Sequence, residues 1–353
     1  MSTEKKTRPS KKAIRQFILD NIEKHPKDLS KITSTKFNIS RQAINIHLKK
    51  LVEEKIITEI GKTKNKSYQL NVLMDWNKNY QINKELAEDL VWSSDIVKLL
   101  GQMPENVANI WHYGFTEMLN NVIDHSEGTE VSVRIIKNIL QTEILISDNG
   151  IGIFKKIQTK LGLLDERHAV LELSKGKLTT DPEHHSGEGI FFSIQMFDKF
   201  GILSGNSFFS HRFGDQEYWM TENEEFQTGT VIWMKLKNET SRTMKEVFDK
   251  FALKDCYGFD KTVVPVKLAQ YGNDMLISRS QAKRLLSRIE KFKIVMFDFK
   301  GVEEIGQAFA DEIFRVFAKK HPGVELYAIH ASFKVKQMID RAKIAKEETR
   351  ENS

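Results

Sequence analysis

The sequence predicts an α+β protein of several domains, and three observations predict it. Its 353 residues exceed the usual span of one domain. Positive charge gathers at one end: residues 1–72 hold 17 Lys and Arg against 7 Asp and Glu, a net of +10, leaving 37 against 41, a net of −4, for the remainder. The hydrophobic pattern also changes character twice. Short amphipathic helices give way to a long helix followed by alternating strands, and from about Val263 strands and helices take turns.

Composition narrows the class. With 40% hydrophobic and 29% charged residues the chain can bury sizeable cores, yet it has no apolar run long enough to span a bilayer. The lysine-rich start lacks the apolar stretch of a secretion signal, so the expectation is an unexported, cytoplasmic protein without membrane contact. Cys256 is the single cysteine, which excludes an intrachain disulfide and a cysteine-based metal cluster. A basic arm on a mildly acidic body is expected of a nucleic-acid-binding module, although a solvated basic tail has the same composition.

Residues 11–24 read as an amphipathic helix with Ile14, Phe17, Ile18 and Ile22 on one face, stopped before Pro26. A second helix spans 28–36. Ser40 is placed to cap a third, 41–55, with Ile44, Leu48, Leu51 and Val52 inward and Arg41, Gln42, Asn45 and Lys49 outward. Residues 56–60 and 67–70 alternate as two strands around a basic tip that carries Lys62, Lys64 and Lys66. Residues 8–72, with Ile39-Ser40-Arg41-Gln42-Ala43-Ile44 and the following His47-Leu48-Lys49-Lys50-Leu51, resemble the winged helix-turn-helix of bacterial transcription regulators. The resemblance implies double-stranded DNA as a partner, the third helix in a major groove and the hairpin lysines on phosphates. A merely solvated face and a protein-contact surface are the other uses of this pattern.

Residues 73–104 carry apolar side chains at helical spacings and read as a helical connector closed by Pro104. The next helix, 106–126, sets Glu117, Asn121 and His125 four apart on one face, with Trp111, Phe115, Met118 and Val122 turned to an apolar layer. That polar row must face something wet or ionic. Two strands follow, around Val131-Ile135 and Ile144-Ile146, the second ending in Asp148-Asn149-Gly150-Ile151-Gly152. Residues 154–186, with one helical piece at 167–174, read as a mobile lid finishing at Ser186-Gly187-Glu188-Gly189 before an apolar helix, 191–197. Strands are expected around Phe208, around Tyr218 and over 230–236.

Taken in order, Glu117-x3-Asn121-x3-His125, Asp148-x-Gly150-x-Gly152, Gly187-x-Gly189 and Gly229-Thr230 resemble the motifs of the GHKL ATPase superfamily. That superfamily includes histidine kinases, anti-sigma-factor kinases, type II topoisomerases, mismatch-repair ATPases and a heat-shock chaperone. The resemblance covers residues 105–240 and implies a Bergerat-type α/β sandwich, an antiparallel sheet with helices on one face, that binds ATP and Mg2+. Asn121 would offer a neutral oxygen to Mg2+, which keeps most of its waters and bridges phosphates. Glu117 would act as the base or orient the nucleophile. Asp148 would accept from the adenine amino group, with Gly150 and Gly152 letting the backbone turn and approach the base. Gly187 and Gly189 would present N–H groups to phosphates, Thr230 would add a contact near adenine, and His125 would bind at most. His184 and His185 read as a solvated pair rather than metal ligands. Lys175 and Lys177 come within reach of a phosphate if the lid closes, though a charged loop needs no such reason.

The last pattern, 260–345, is a small α/β layer. Asp298-Phe299-Lys300-Gly301-Val302-Glu303-Glu304-Ile305-Gly306, leading into a helix with Ala308, Phe309 and Ala310, resembles the STAS-like domains related to anti-sigma-factor antagonists. Where those antagonists carry a phosphorylated serine, this chain has Gln307, so their switch is not expected here. The implied role is docking of a protein partner. Together the resemblances imply a regulator in which Mg-ATP binding, with slow hydrolysis, controls DNA binding. A serine/threonine kinase of the anti-sigma type acting on a separate partner, and an interaction protein holding ATP as a structural ligand, are the rivals; a homodimer is left open.

Overall fold

The first helix begins where Ser10 caps it, its hydroxyl accepting from the Ala13 N–H at 3.1 Å. The computed structural model describes residues 9–62, 65–178, 187–214, 217–253, 258–270 and 274–351, without the side chains of 217, 222–226 and 345–351. The chain forms two units. One takes the described residues up to Asn77 together with Arg134–Ile144 and Lys237–Glu239; the other takes Lys78–Val133, Leu145–Leu236 and the described residues from Thr240.

The first unit holds α1 (Lys11–Asn21), α2 (Leu29–Phe37), α3 (Arg41–Glu53), β1 (Ile57–Ile60) and β2 (Ser67–Leu70). Ser40 caps α3 as expected, accepting from Ala43 N at 3.2 Å. α2 ends where Asn38 turns left-handed at φ 53°, a conformation asparagine tolerates. The inward faces of the three helices meet Ile57 and Tyr68 of the antiparallel hairpin in one core, with Ile14, Ile18, Leu48 and Leu51 at its centre. Leu140 packs on the same core, and Gln141 Nε2 donates to Glu23 Oε1 at 2.7 Å.

A five-stranded sheet follows in the order β3-β4-β5-β7-β6, made of β3 (Met74–Gln81), β4 (Glu130–Lys137), β5 (Gln141–Asp148), β6 (Lys199–Arg212) and β7 (Glu217–Lys237). β3 corrects the expectation of an all-helical connector over 73–104. Met74, Trp76 and Tyr80 are half-buried between exposed neighbours, and that alternation is the period of a strand. Helix in this stretch is confined to 88–100, as α4 (Glu88–Val91), a π-turn and α5 (Val97–Leu100). The strands expected around Tyr218 and over 230–236 are one strand, β7, which pairs antiparallel with β6 through a register shift near Gly205.

The long helix α6 (Glu105–His125) buries Val107, Ile110, Trp111, Phe115, Met118 and Leu119, while β4 and β5 bury Val131, Val133, Ile135, Ile144 and Ile146. Burying a side chain of this size is worth about 1.5–3 kcal/mol, so this layer dominates the stability of the region.

The stretch read as a lid is largely helical. It contains α7 (Ile153–Leu161) and α8 (Glu166–Lys175), and every residue of α8 from Ala169 on is buried. Ile153, Phe154, Ile157 and Leu161 recur at helical spacing, a signal diluted by the lysines between them. Residues 179–186, with His184, His185 and Ser186, lie outside the described residues.

α9 (Gly189–Met196) and α10 (Met244–Phe251) bring together Phe191, Phe192, Phe248 and Phe251, with Phe259 against Phe191 at 4.6 Å between ring centres. The C-terminal layer is a parallel sheet, β10-β9-β8, formed by β8 (Lys261–Pro265), β9 (Ile294–Asp298) and β10 (Glu325–Ile329). Its helices are α11 (Arg279–Leu286), α12 (Gln307–Asp311) continuing through a π-turn into α13 (Ala318–Lys320), and α14 (Phe333–Glu351). Among the described residues no helix is long and apolar enough to cross a membrane.

Candidate functional site

Glu117, Asn121 and His125 line one wall of a cavity of about 260 Å³. Their helix turns them there because its apolar stripe is spent on the sheet. Asp148 closes the floor from the end of β5, Gly152 and Ile153 come from the turn into α7, and Thr230 and Ile232 come from β7. Gly187 just before α9 and Gly189 at its start also line it, as do Leu173 on α8 and Leu178 beyond that helix.

The floor is held by its own hydrogen bonds. Asp148 Oδ1 accepts from Gly150 N at 2.8 Å, and Thr230 Oγ1 accepts from Ile153 N at 3.0 Å. Gly150 does not line the cavity; it lets the turn pass so close to the Ser126 carbonyl that a Cβ would overlap it. Gly152 enters α7 at φ 86°, and a Cβ on it would lie 2.5 Å from Ser204 Oγ. Burial pushes the Asp148 carboxyl up from its ordinary value, while hydrogen bonds from Gly150 and Thr230 oppose the shift. The carboxylate also lines the cavity, and with four acceptor positions it has capacity for a further donor there.

Asn121 Nδ2 donates to the Glu117 carbonyl at 2.7 Å, so Oδ1 is the amide atom left for a ligand. A Cβ on Gly189 would overlap Glu117 Oε2, which places the carboxylate at the first turn of α9. Tyr113, one turn earlier on α6, is pushed above its ordinary pKa by burial and by the nearby Glu117 and Glu188 carboxylates. Burial also raises Glu188, with Lys177 opposing.

Lys156 was missed by the sequence reading. It lines the cavity from α7, and its ammonium donates to the His125 carbonyl at 2.5 Å and to Glu127 Oε1 at 3.1 Å. Recognising 153–161 as a helix entered from Gly152 would have found it, because position 156 falls one turn in, on the side of the entry. Lys175 moves the other way. Its ammonium is buried on Glu172 and two main-chain carbonyls, Arg284 O and Ser287 O, and does not line the cavity. Lys177 donates to Lys291 O at 3.1 Å and lies over the Phe292 ring, and it does not line the cavity either.

In the first unit Arg41, Gln42, Asn45 and Lys49 are all exposed on α3, beside Ile46, and Lys62 is exposed at the hairpin. Lys66 differs: it pairs with Glu59 at 2.6 Å and lies over Tyr68, within the hairpin itself. Lys64 lies outside the described residues.

At the carboxyl end of the parallel sheet, Asp298 is buried, accepting from Lys300 N at 2.9 Å and paired with His330 Nδ1 at 2.9 Å. Gln307 opens α12, and a Cβ on the preceding Gly306 would come within 2.7 Å of Ile277. Residues 281–338 match the family model described as STAS-like domain of unknown function (DUF4325). The C-terminal layer therefore contains a STAS-like domain. β8, at 261–265, precedes the matched stretch yet is hydrogen-bonded to β9, so the folded layer is longer than the match. No curated protein matches the chain.

Proposed function

We propose that the chain is a nucleotide-dependent regulator of the GHKL type. Mg-ATP would occupy the 260 Å³ cavity, double-stranded DNA would be read by α3 and the hairpin, and the STAS-like domain would serve protein interaction. One observation carries the nucleotide reading: residues from four separated motifs, at 117–125, 148–152, 187–189 and 230, line a single cavity. Chance motif matches have no reason to converge.

The donor set fits the group. A nucleotide needs an acceptor for an exocyclic amine, which Asp148 supplies, and approachable backbone at the phosphates, which Gly187 and Gly189 supply. Among the described residues no cluster of three His, Cys, Asp or Glu side chains is set to hold a metal ion. Mg2+ would instead rest on Asn121 Oδ1 and the phosphates, and when bound would neutralise phosphate charge. Glu117 would then orient a nucleophile from the α9 side. The exposed polar face of α3 supports the DNA reading, with the basic charge of residues 1–72.

Calorimetry with ATP, with and without Mg2+, tests the central claim. Wild-type protein should bind in a Mg-dependent manner and Asn121→Ala should lose that dependence; unchanged affinity in the variant would remove the assignment. Radiolabelled ATP then separates the outcomes: free phosphate for hydrolysis, label on an added partner for a kinase, neither for a structural ligand.

A further inference from the structure

Helix α8 has two faces with different duties. Leu173, and Leu178 just beyond the helix, line the cavity, while Glu172 and Lys175 point to the C-terminal layer and are within 1% of complete burial. Lys175 Nζ donates to Glu172 Oε1 at 2.7 Å, to Arg284 O at 3.1 Å and to Ser287 O at 2.9 Å. An ammonium has three protons, and all three are spent here. Two of the acceptors are main-chain carbonyls at the end of α11, where a helix gathers negative potential.

The second oxygen of Glu172 receives Arg288 Nη1 at 3.2 Å. Arg288 follows α11 at φ 63°, a left-handed conformation that costs a non-glycine residue energy, and its guanidinium also donates to Lys177 O. Burial works against the Glu172 carboxylate, but His168, Lys175 and Arg288 together hold its pKa below the ordinary value. From β8, Thr262 Oγ1 donates to Lys175 O at 2.7 Å, and Lys177 reaches Lys291 O. One helix is thus tied by charge to the C-terminal layer, which begins with β8 at Lys261. Such a cluster is poor value for stability alone, because the same volume filled with apolar side chains would do as well or better.

We infer that the STAS-like domain is an intrachain clamp: through Lys175, Glu172 and Arg288 it fixes α8, and thereby the shape of the nucleotide cavity. Arg288 and Lys175 are positioning residues that act through Leu173. The clamp follows from the contacts named here; that the cavity holds ATP rests on the function proposed above. Coupling is reciprocal, so a protein that engages the end of α11 would change nucleotide affinity, and nucleotide would change affinity for that protein.

Hydrogen exchange and Mg-ATP titration of the full chain test this. Arg288→Gly removes the guanidinium together with its stem, and glycine accepts φ 63° without strain, so the backbone turn itself is kept. Amides of residues 166–178 should exchange at least about tenfold faster while those of 105–125 keep their rates, and Mg-ATP affinity should fall at least about fivefold. Arg288→Gln, which keeps most of the stem but not the charge, should act like Arg288→Gly; recovery of affinity and slow exchange in Arg288→Gln would assign the effect to packing and overturn the charge clamp. Lys175→Met should act like Arg288→Gly where it folds. Unchanged exchange at 166–178 overturns the clamp, as does faster exchange with unchanged affinity. If the wild-type chain binds no Mg-ATP, the nucleotide reading falls, and exchange at 166–178 alone decides the clamp.

Discussion

The carboxylate of Glu117 occupies the space a side chain on Gly189 would need: a Cβ there would overlap Oε2 and stand 2.7 Å from the carboxyl carbon. The obstacle is the end of a flexible side chain, which can swing away, so Gly189→Ala should cost little stability, under about 1 kcal/mol. It should displace Glu117 instead. ATP turnover in Gly189→Ala should drop about a hundredfold, to the level of Glu117→Ala. The double variant should be no slower than either single one, because both remove the same group. Wild-type turnover in Gly189→Ala would show that Glu117 has no role at that position.

Asp148 adds a pH dependence. Its folded pKa is raised by burial, so the carboxylate that would accept from adenine is present above that pKa and lost as pH falls through it. ATP affinity should therefore weaken on acidification at a higher pH than an ordinary aspartate would dictate. Asp148→Asn should flatten this profile and weaken ATP about tenfold to a hundredfold, while narrowing the preference over GTP. A pH profile identical in the variant and the wild type would exclude the carboxylate from recognition.

What was legible in the sequence was local. The period-four row on α6, the Asp148-Gly150 turn, the Ser40 cap and the strand-helix alternation after Val263 each depend on residues within a turn or two of one another. What was illegible depends on distant partners. Lys175 reads as a solvated charge because its acceptors, Arg284 O and Ser287 O, lie 109 and 112 residues away. β3 is settled by a sheet neighbour beginning at Glu130, which outweighs the helical spacing also present in 73–104. Lys66 looks like a free wing cation until Tyr68 and Glu59 are placed across the hairpin from each other.

His211 supplies a stability test independent of any ligand. Burial lowers its pKa to about 4, with Lys250 and Arg242 adding to the shift and a hydrogen bond with the Ile194 backbone opposing it. Between that value and about 6.5 the unfolded chain takes up a proton that the folded chain refuses, so stability rises with pH across this window. The difference corresponds to about 3 kcal/mol at most. Urea unfolding at pH 7 and at about pH 5 should show the wild type losing more stability than His211→Gln, after allowance for any loss common to both pH values. Equal losses in the two proteins would mean that His211 takes up its proton in the folded state.

The first unit separates two kinds of lysine. Lys62 is exposed, whereas Lys66 is pinned between Glu59 and Tyr68, and a side chain neutralised by a carboxylate at 2.6 Å releases few counterions from DNA. Lys62→Ala should therefore lower the slope of log affinity against log salt by about 1, and Lys66→Ala by much less. Asn45→Ala, on the outward face of α3, should leave the salt slope unchanged and reduce discrimination between sequences by about 1–3 kcal/mol. Fluorescence anisotropy with duplexes over a salt series measures both quantities. If deletion of residues 1–72 leaves salt-sensitive DNA affinity intact, the DNA reading of this unit fails; if Lys66→Ala matches Lys62→Ala, the Glu59 pair does not persist on DNA and the hairpin opens to bind.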